Sequence, residues 1–244
     1  MKNYLLIVIT FLFISLISTS AFAVEQLPDC NEKINRAIFN FNMELDKDVI
    51  KPIAQTYNML PSPIKTGVSN GTYNFNTTKT AINEILQGHV EDGLISSSRF
   101  VINSTLGFFG TFDPASEMGI KKRSRTDFGI TLGAWGVPHG CYAVLPVFGP
   151  SSPRDGLGRL VGIYADPFYY VIGNSDPGVE TYYSLEALDL LNFRAENIKA
   201  TDSLEKSSID LYATYKSLFL QKRETLVNNA SNKTSTEKES SDIR

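Results

Sequence analysis

Beyond its N-terminal segment this chain has no run both long and apolar enough to cross a bilayer as a helix, which takes about 20 residues. Yet the stretch from Gly129 to Gly173 is predominantly apolar and repeatedly broken by glycine and proline. Between Gly129 and Gly149, the residues Gly133, Gly136, Pro138, Gly140 and Pro146 alternate with Trp135, Tyr142, Val144, Leu145, Val147 and Phe148. That punctuation excludes a long helix. It predicts a hairpin-like loop about Pro138-His139-Gly140, with Cys141 to Leu145 extended. Loops normally run over the surface in water. An apolar one must be buried or must touch something other than water. Further on, Asp166-Pro167 interrupts the run, so 156–173 is not a single straight span.

The rest of the mature chain reads as short amphipathic helices with no repeated unit. From Ile34 to Leu60, apolar residues recur every three or four positions, with a kink expected at Pro52 and an end at Pro61-Ser62-Pro63. A short element from Ile64 towards Tyr73 leads into the polar stretch Asn74 to Thr78, read as a loop. Thr78 then caps a helix carrying Ile82, Ile85 and Leu86, which Gly88 stops. The next helix carries Val90, Leu94, Ser97, Val101 and Ser104 on one face, and Gly107 and Gly110 close it. Asp113-Pro114 opens a short turn, Asp127 caps Phe128 to Trp135, and Ser152-Pro153 starts a helix presenting Leu157, Leu160, Val161 and Tyr164. Asp176-Pro177 starts another towards Phe193, and Ser207 or Ser208 caps a last one bearing Leu211, Tyr212, Tyr215, Leu218, Phe219 and Leu226. After Val227 almost no apolar residue remains, so 228–244 is expected to be a disordered tail.

Residues 1–23 have the marks of a signal peptide: Lys2, an apolar run from Leu5 to Ile17, and Ala21-Phe22-Ala23 as the cleavage signal. An uncleaved N-terminal anchor is the alternative. Export permits Cys30 and Cys141 to pair, two separate thiols being the other reading. Leu27-Pro28-Asp29 does not supply the small residues a lipidated cysteine needs ahead of it, so Cys30 is expected not to be acylated. The remaining 24–227 suits one domain. A formal charge of −3 and no visible Lys/Arg stripe argue against nucleic acid as a partner.

Catalytic patterns are scarce. No G-x-S-x-G elbow occurs, and His139, Ser151 and Asp155 are the only nearby set of triad types, in a turn-rich stretch that fixes no geometry. His89 reads as a capping or surface residue, and Arg154-Asp155 as a local ion pair worth little if exposed. Two cysteines and two histidines are too few for a zinc finger or iron–sulfur cluster, and no metal cluster or phosphate-cradling loop is seen.

An ordered set of strings nonetheless resembles a known family. It begins with Asn35-Arg36-Ala37-Ile38-Phe39-Asn40-Phe41-Asn42, Leu45-Asp46 and Lys51-Pro52, and continues through Gly67-Val68-Ser69-Asn70 and Ile82-Asn83-Glu84-Ile85-Leu86-Gln87-Gly88. Arg99-Phe100-Val101-Ile102-Asn103-Ser104-Thr105, Phe112-Asp113, Asp127-Phe128-Gly129 and Thr131-Leu132-Gly133 follow in order. Trp135-Gly136-Val137, Leu145-Pro146, Gly149-Pro150-Ser151 and Arg154-Asp155 complete it. In order and spacing these are similar to the MlaA/VacJ family over roughly Cys30 to Val227.

The resemblance implies a mainly α fold: a compact ring-like bundle of short amphipathic helices lying in the outer membrane around a central amphipathic channel, with the Gly/Pro-rich loop as a gate. It further implies a place in intermembrane phospholipid transport. Phospholipids astray in the outer leaflet would pass through the channel to a periplasmic carrier of the MlaC type, beside a trimeric porin, with no cofactor and no covalent chemistry. Asn40 and Phe41, in the matching Asn–Phe string, with Trp135, Gly136, Gly140 and Tyr142, are the residues it nominates for channel and gate. Two departures stand out. The lipobox is missing, and Cys141 occupies a position where relatives have proline after glycine, so a Cys30–Cys141 bond would pin the N-terminal segment to the gate. A lipid hydrolase and a porin-associated scaffold without transport activity are the competing functions.

Overall fold

The computed structural model describes residues 27–174 and 178–242; the expected signal peptide and the expected Asp176-Pro177 helix start lie outside them. The chain is mainly helical. Helix α1 spans Glu32–Leu45 and is capped by Asn31, whose side chain accepts from the Ile34 amide. It passes through a π-helical turn at Asp46–Ile50 into α2 at Lys51–Asn58. The irregularity expected at Pro52 therefore falls one turn earlier. Widening the turn ahead of the proline lets the chain bypass the missing amide, and Pro52 sits harmlessly in the first turn of α2.

One expectation fails instructively. Residues 62–86 are a single helix, α3 (Ser62–Leu86), and the polar stretch Asn74 to Thr78 is part of it. Thr72, Asn74, Asn76, Thr77, Thr80, Asn83, Glu84 and Gln87 are all buried. Helix α4 (Val90–Thr105) packs along α3 and turns Gly93, Ser96, Arg99 and Asn103 inward. Its apolar stripe of Val90, Leu94 and Val101 faces outward. The helical period is as expected, and it is the polar side that is buried: the α3–α4 pair is largely polar within and apolar without.

Short helices α5 (Pro114–Glu117) and α6 (Phe128–Ala134) follow, capped by Asp113 and Asp127. Strands β1 (Ala143–Leu145) and β2 (Gly149–Ser151) pair antiparallel, so the hairpin turns at Pro146-Val147-Phe148 and not at Pro138-His139-Gly140. Gly149 and Val147 take the left-handed backbone that this tight turn demands, at φ 72° and 68°. Helix α7 (Pro153–Tyr164), capped by Ser152, packs against α6, and α8 (Pro167–Gly173) is capped by Asp166. Helices α9 (Val179–Glu196) and α10 (Ile198–Ser207) lead into α11 (Leu211–Asp242). Ser207 ends α10, and it is Asp210 that caps α11 through the Ala213 amide. The disordered tail expected from 228 is not what the structure describes, since α11 continues through Asp242. Its packed first half nucleates the helix, Ala230 is still buried, and extension beyond a formed nucleus costs little.

A small apolar core exists beside the hairpin, where Phe39, Tyr142, Val144, Tyr212 and Leu220 pack together. Among the described residues no helix is long and apolar enough to cross a membrane.

Candidate functional site

The interior of α3, α4, α6 and the segment between α5 and α6 is a hydrogen-bonded polar network. Gln87 Nε2 donates to Thr126 Oγ1 at 2.7 Å and to Thr131 Oγ1 at 2.8 Å, and Thr131 Oγ1 donates to Asn83 Oδ1 at 2.7 Å. Ser96 Oγ donates to Glu84 at 2.6 Å, and Arg123 bridges Glu84 and Asp92. Arg125 grips Asp189 of α9 through both guanidinium ends, at 2.6 and 2.9 Å. Part of this network borders a cavity of about 750 Å³ whose walls include Glu84, Gln87, Lys122, Arg123, Ile130 and Leu226. The size falls within the usual range for a small-molecule site. Its wall carries both signs of charge beside an apolar surface of comparable extent, an amphipathic lining.

Sequence reasoning missed most of these residues. The run Lys121-Lys122-Arg123-Ser124-Arg125 is the basic stripe it did not find. Thr72, Asn76, Thr80, Asn83 and Gln87 recur at helical spacing, a polar stripe legible in the sequence but interrupted there by the loop assigned to Asn74–Thr78.

The residues nominated for channel and gate are not gathered at one point. Asn40 and Phe41 lie exposed on the outside of α1. The asparagines that engage the hairpin are Asn35 and Asn42, two turns apart on one helix face. Asn35 accepts from the Val144 amide and donates to the Tyr142 carbonyl; Asn42 accepts from the Val147 amide and donates to the Leu145 carbonyl. Their amides mimic a third strand. Tyr142 is fully buried in the core, where burial pushes its phenol up. Trp135 is exposed, yet its Nε1 donates to the Leu86 carbonyl at 2.9 Å, tying the end of α6 to the end of α3. Gly136 is also exposed, with φ 88° and open space where a Cβ would stand, so backbone conformation alone calls for glycine there. Gly140 is exposed as well, near Pro153.

Cys30 and Cys141 form a disulfide, with Cα atoms 4.9 Å apart. The Cys30 amide donates to the Tyr142 carbonyl and the Tyr142 amide to the Pro28 carbonyl, both at 2.9 Å. Asp29 is held there by Asn35, Tyr212 and Lys216. The N-terminal segment is therefore stitched to the hairpin covalently and through its backbone.

His139 and Asp155 do come together, Nε2 to Oδ2 at 3.4 Å, but Ser151 is buried and donates only to the Ser152 carbonyl, so no triad forms. The pair belongs to a buried charge cluster in which Arg223 bridges Asp127 and Asp155. Arg154-Asp155, expected to be a surface pair, is buried within it. Burial by itself would raise the Asp155 carboxyl. The close approach of His139 and the charges of Arg223 and Arg154 outweigh it and hold that carboxyl well below the usual range. Asp113 and Asp29 are lowered in the same way, each against its burial.

In the unfolded chain these carboxylates bind protons more readily, so their stabilisation is complete above the unfolded value of about 3.9. It is lost as pH falls through the lower folded values. The urea midpoint is expected to drop steeply only below about pH 4, and Asp155→Asn is expected to make that drop shallower. A midpoint that does not respond to acid would refute the assignment.

Comparison with known proteins agrees with this architecture. A family profile described as MlaA lipoprotein matches residues 27–226. A Rickettsia felis protein is 35% identical over 202 residues, covering 82% of this chain and 78% of the relative. The Haemophilus influenzae intermembrane phospholipid transport system lipoprotein MlaA is 30% identical over 209 residues, covering 84% and 81% respectively. A solved structure described as the structural basis for maintenance of bacterial outer membrane lipid asymmetry superposes with a TM-score of 0.73 at 26% identity, over 82% of this chain and 99% of the other. With the profile spanning residues 27–226 of 244, this chain belongs to the MlaA family.

Proposed function

We propose that this protein is the outer-membrane component of an intermembrane phospholipid transport system, passing mislocalised outer-leaflet phospholipids through an amphipathic channel to a periplasmic carrier of the MlaC type. The observation that carries the reading is the inverted arrangement of polarity. Ile53, Ile64, Leu94, Val101, Leu157 and Leu160 are exposed while Asn83, Glu84, Arg99, Asn103 and Asp166 are buried. In water this would waste several kcal/mol of apolar burial. In hydrocarbon it is the low-energy arrangement, because short helices satisfy their backbone internally and the apolar shell meets acyl chains. The polar cavity then offers a headgroup a hydrogen-bonding path that the bilayer interior denies it.

Because the Cys30 sulfur is engaged in the disulfide, retention in the membrane rests on this shell and not on an acyl group at Cys30. Association with a trimeric porin would enclose part of the shell. Trp135 and Gly136, exposed beside the ends of α3 and α6, and Gly140, exposed against Pro153 at the start of α7, are the residues of the nominated set that can respond to a passing lipid. No bond is made or broken in the proposed step.

The test is transfer. Reconstituted into vesicles containing a fluorescent phospholipid, the protein is expected to deliver label to an added MlaC-type carrier, and Trp135→Ala, which frees the α6 end from Leu86, is expected to change the rate. Release of fatty acid that is abolished by Ser151→Ala would replace this reading with hydrolysis. Porin binding without transfer would leave a scaffold.

A further inference from the structure

The connection between α4 and α5 is built in an unusual way. Phe108 and Phe109 both occupy the left-handed region, at φ 51° and 56°, a conformation that bulky residues rarely adopt. The strain is held in place from below. The Phe109 amide donates to the Ser104 carbonyl at 3.1 Å, the Gly110 amide to Asn103 at 2.8 Å, and the Phe112 amide to Gly107 at 2.9 Å. Gly110 is pressed onto Asn74, where a Cβ would come within 2.4 Å of the Asn74 side chain. The outcome of this backbone is that Phe108 and Phe109 are 69% and 80% exposed, with Leu106 and Phe112 beside them. A water-facing turn would place asparagine or glycine at such positions and keep phenyl rings inside.

Charge is distributed to match. No charged residue occurs from Leu106 to Phe112. Immediately beside this knuckle, Asn70 donates to the Thr111 carbonyl and accepts from Lys122 Nζ at 2.9 Å. Lys122 also lies 3.5 Å from Asp113, and the neighbouring Lys121 is exposed.

We propose that the Leu106–Phe112 knuckle is a wedge that inserts into the acyl-chain region of a phospholipid leaflet, with Lys121 meeting lipid phosphate at its rim. The proposal rests on the membrane placement argued above. The knuckle fixes the depth and orientation of the molecule, holding the polar cavity at the level of the headgroups. An uncharged tip of exposed rings, with Lys122 tied to its base through Asn70 and the exposed Lys121 next to it in the chain, has the charge distribution that an anionic lipid surface complements.

The experiment places a reporter at the tip. Trp135, the only tryptophan, is replaced by phenylalanine and Phe109→Trp is introduced in the full chain. The protein is reconstituted with vesicles of phosphatidylethanolamine and phosphatidylglycerol, with and without brominated acyl chains. Blue-shifted emission that the brominated chains quench is expected. In flotation assays Phe108→Ser/Phe109→Ser is expected to weaken vesicle binding about tenfold or more per ring, with the disulfide and helix content unchanged. Lys121→Gln is expected to weaken it about fivefold at low salt.

Water-like emission, or a blue shift that bromine does not quench and that follows protein concentration, would overturn the wedge, the latter in favour of a second copy. Transfer to the carrier is measured on the same vesicles with the unsubstituted protein. Transfer without tip insertion discards only the wedge; tip insertion without transfer discards only the transport reading.

Discussion

Replacing Cys30 and Cys141 together by alanine is expected to lower the unfolding free energy by about 2–5 kcal/mol, one of the two largest effects anticipated for this molecule. The bond joins residues 111 apart, so in the unfolded chain it closes a very long loop, and removing it releases the corresponding chain entropy. The folded geometry should survive. The Cys30 and Tyr142 amides keep their backbone partners, and Asp29 keeps Asn35, Tyr212 and Lys216. The cost thus falls on the equilibrium with the unfolded state more than on the native contacts. Urea unfolding of the oxidised, dithiothreitol-reduced and double-alanine forms distinguishes the cases: the last two are expected to coincide, at a lower midpoint than the first. Three coincident transitions would mean that the bond contributes nothing.

The same bond illustrates what the sequence could and could not disclose. Two cysteines behind an expected export signal leave pairing an open choice, and Cys141 in place of the family's proline draws attention to the pair without fixing its geometry. Local chemistry was the most legible. Asp113, Asp127 and Ser152 cap the helices their positions announced, because a cap depends only on a side chain and the next three residues. Helical period was legible too, but not which face is buried. The Val90, Leu94, Val101 stripe is legible as one face, and the structure turns it outward. The Asn74 to Thr78 stretch, expected to be a loop, is part of a buried helix. Periodicity reports that two faces differ, and which of them is interior depends on whether water lies outside. The π-helical turn at Asp46–Ile50 and the hairpin turn at Pro146-Val147-Phe148 escaped for another reason. Each is chosen by how neighbouring segments dock, α1 through Asn35 and Asn42 onto β1 and the hairpin turn, which short-range patterns do not encode.

The buried ion pair that anchors the α4–α5 connection should be at least as sensitive as the disulfide. Arg99 is 1% exposed and donates to both oxygens of Asp113, at 2.8 and 3.0 Å, as well as to Ser116 Oγ and the Ile120 carbonyl. Asp113 meanwhile accepts from Asn103 at 2.9 Å and caps α5 through the Ser116 amide. Arg99→Met fills much of the same volume but strands a largely buried carboxylate and the Ile120 carbonyl, a change that costs about 3–5 kcal/mol when one member of a buried pair is removed. Lys122, 3.5 Å from Asp113, compensates in part and places the expectation at the lower end. Arg99→Lys keeps the charge but not the bidentate fork, so it should recover only part of the loss. Since Asp113 serves Arg99, Asn103 and the α5 cap at once, a double-mutant cycle with Asp113→Asn is expected to give a coupling of about 2–3 kcal/mol; additive losses would show that the two residues act separately. A local readout separates this anchor from general destabilisation. Asn103 supplies the carbonyl that holds the Gly110 amide, so in Arg99→Met the amides of Phe109, Gly110 and Phe112 should exchange with solvent faster than those in the middle of α3. If exchange rises uniformly across the molecule instead, Arg99 stabilises the fold as a whole and does not hold the aromatic knuckle in its strained shape.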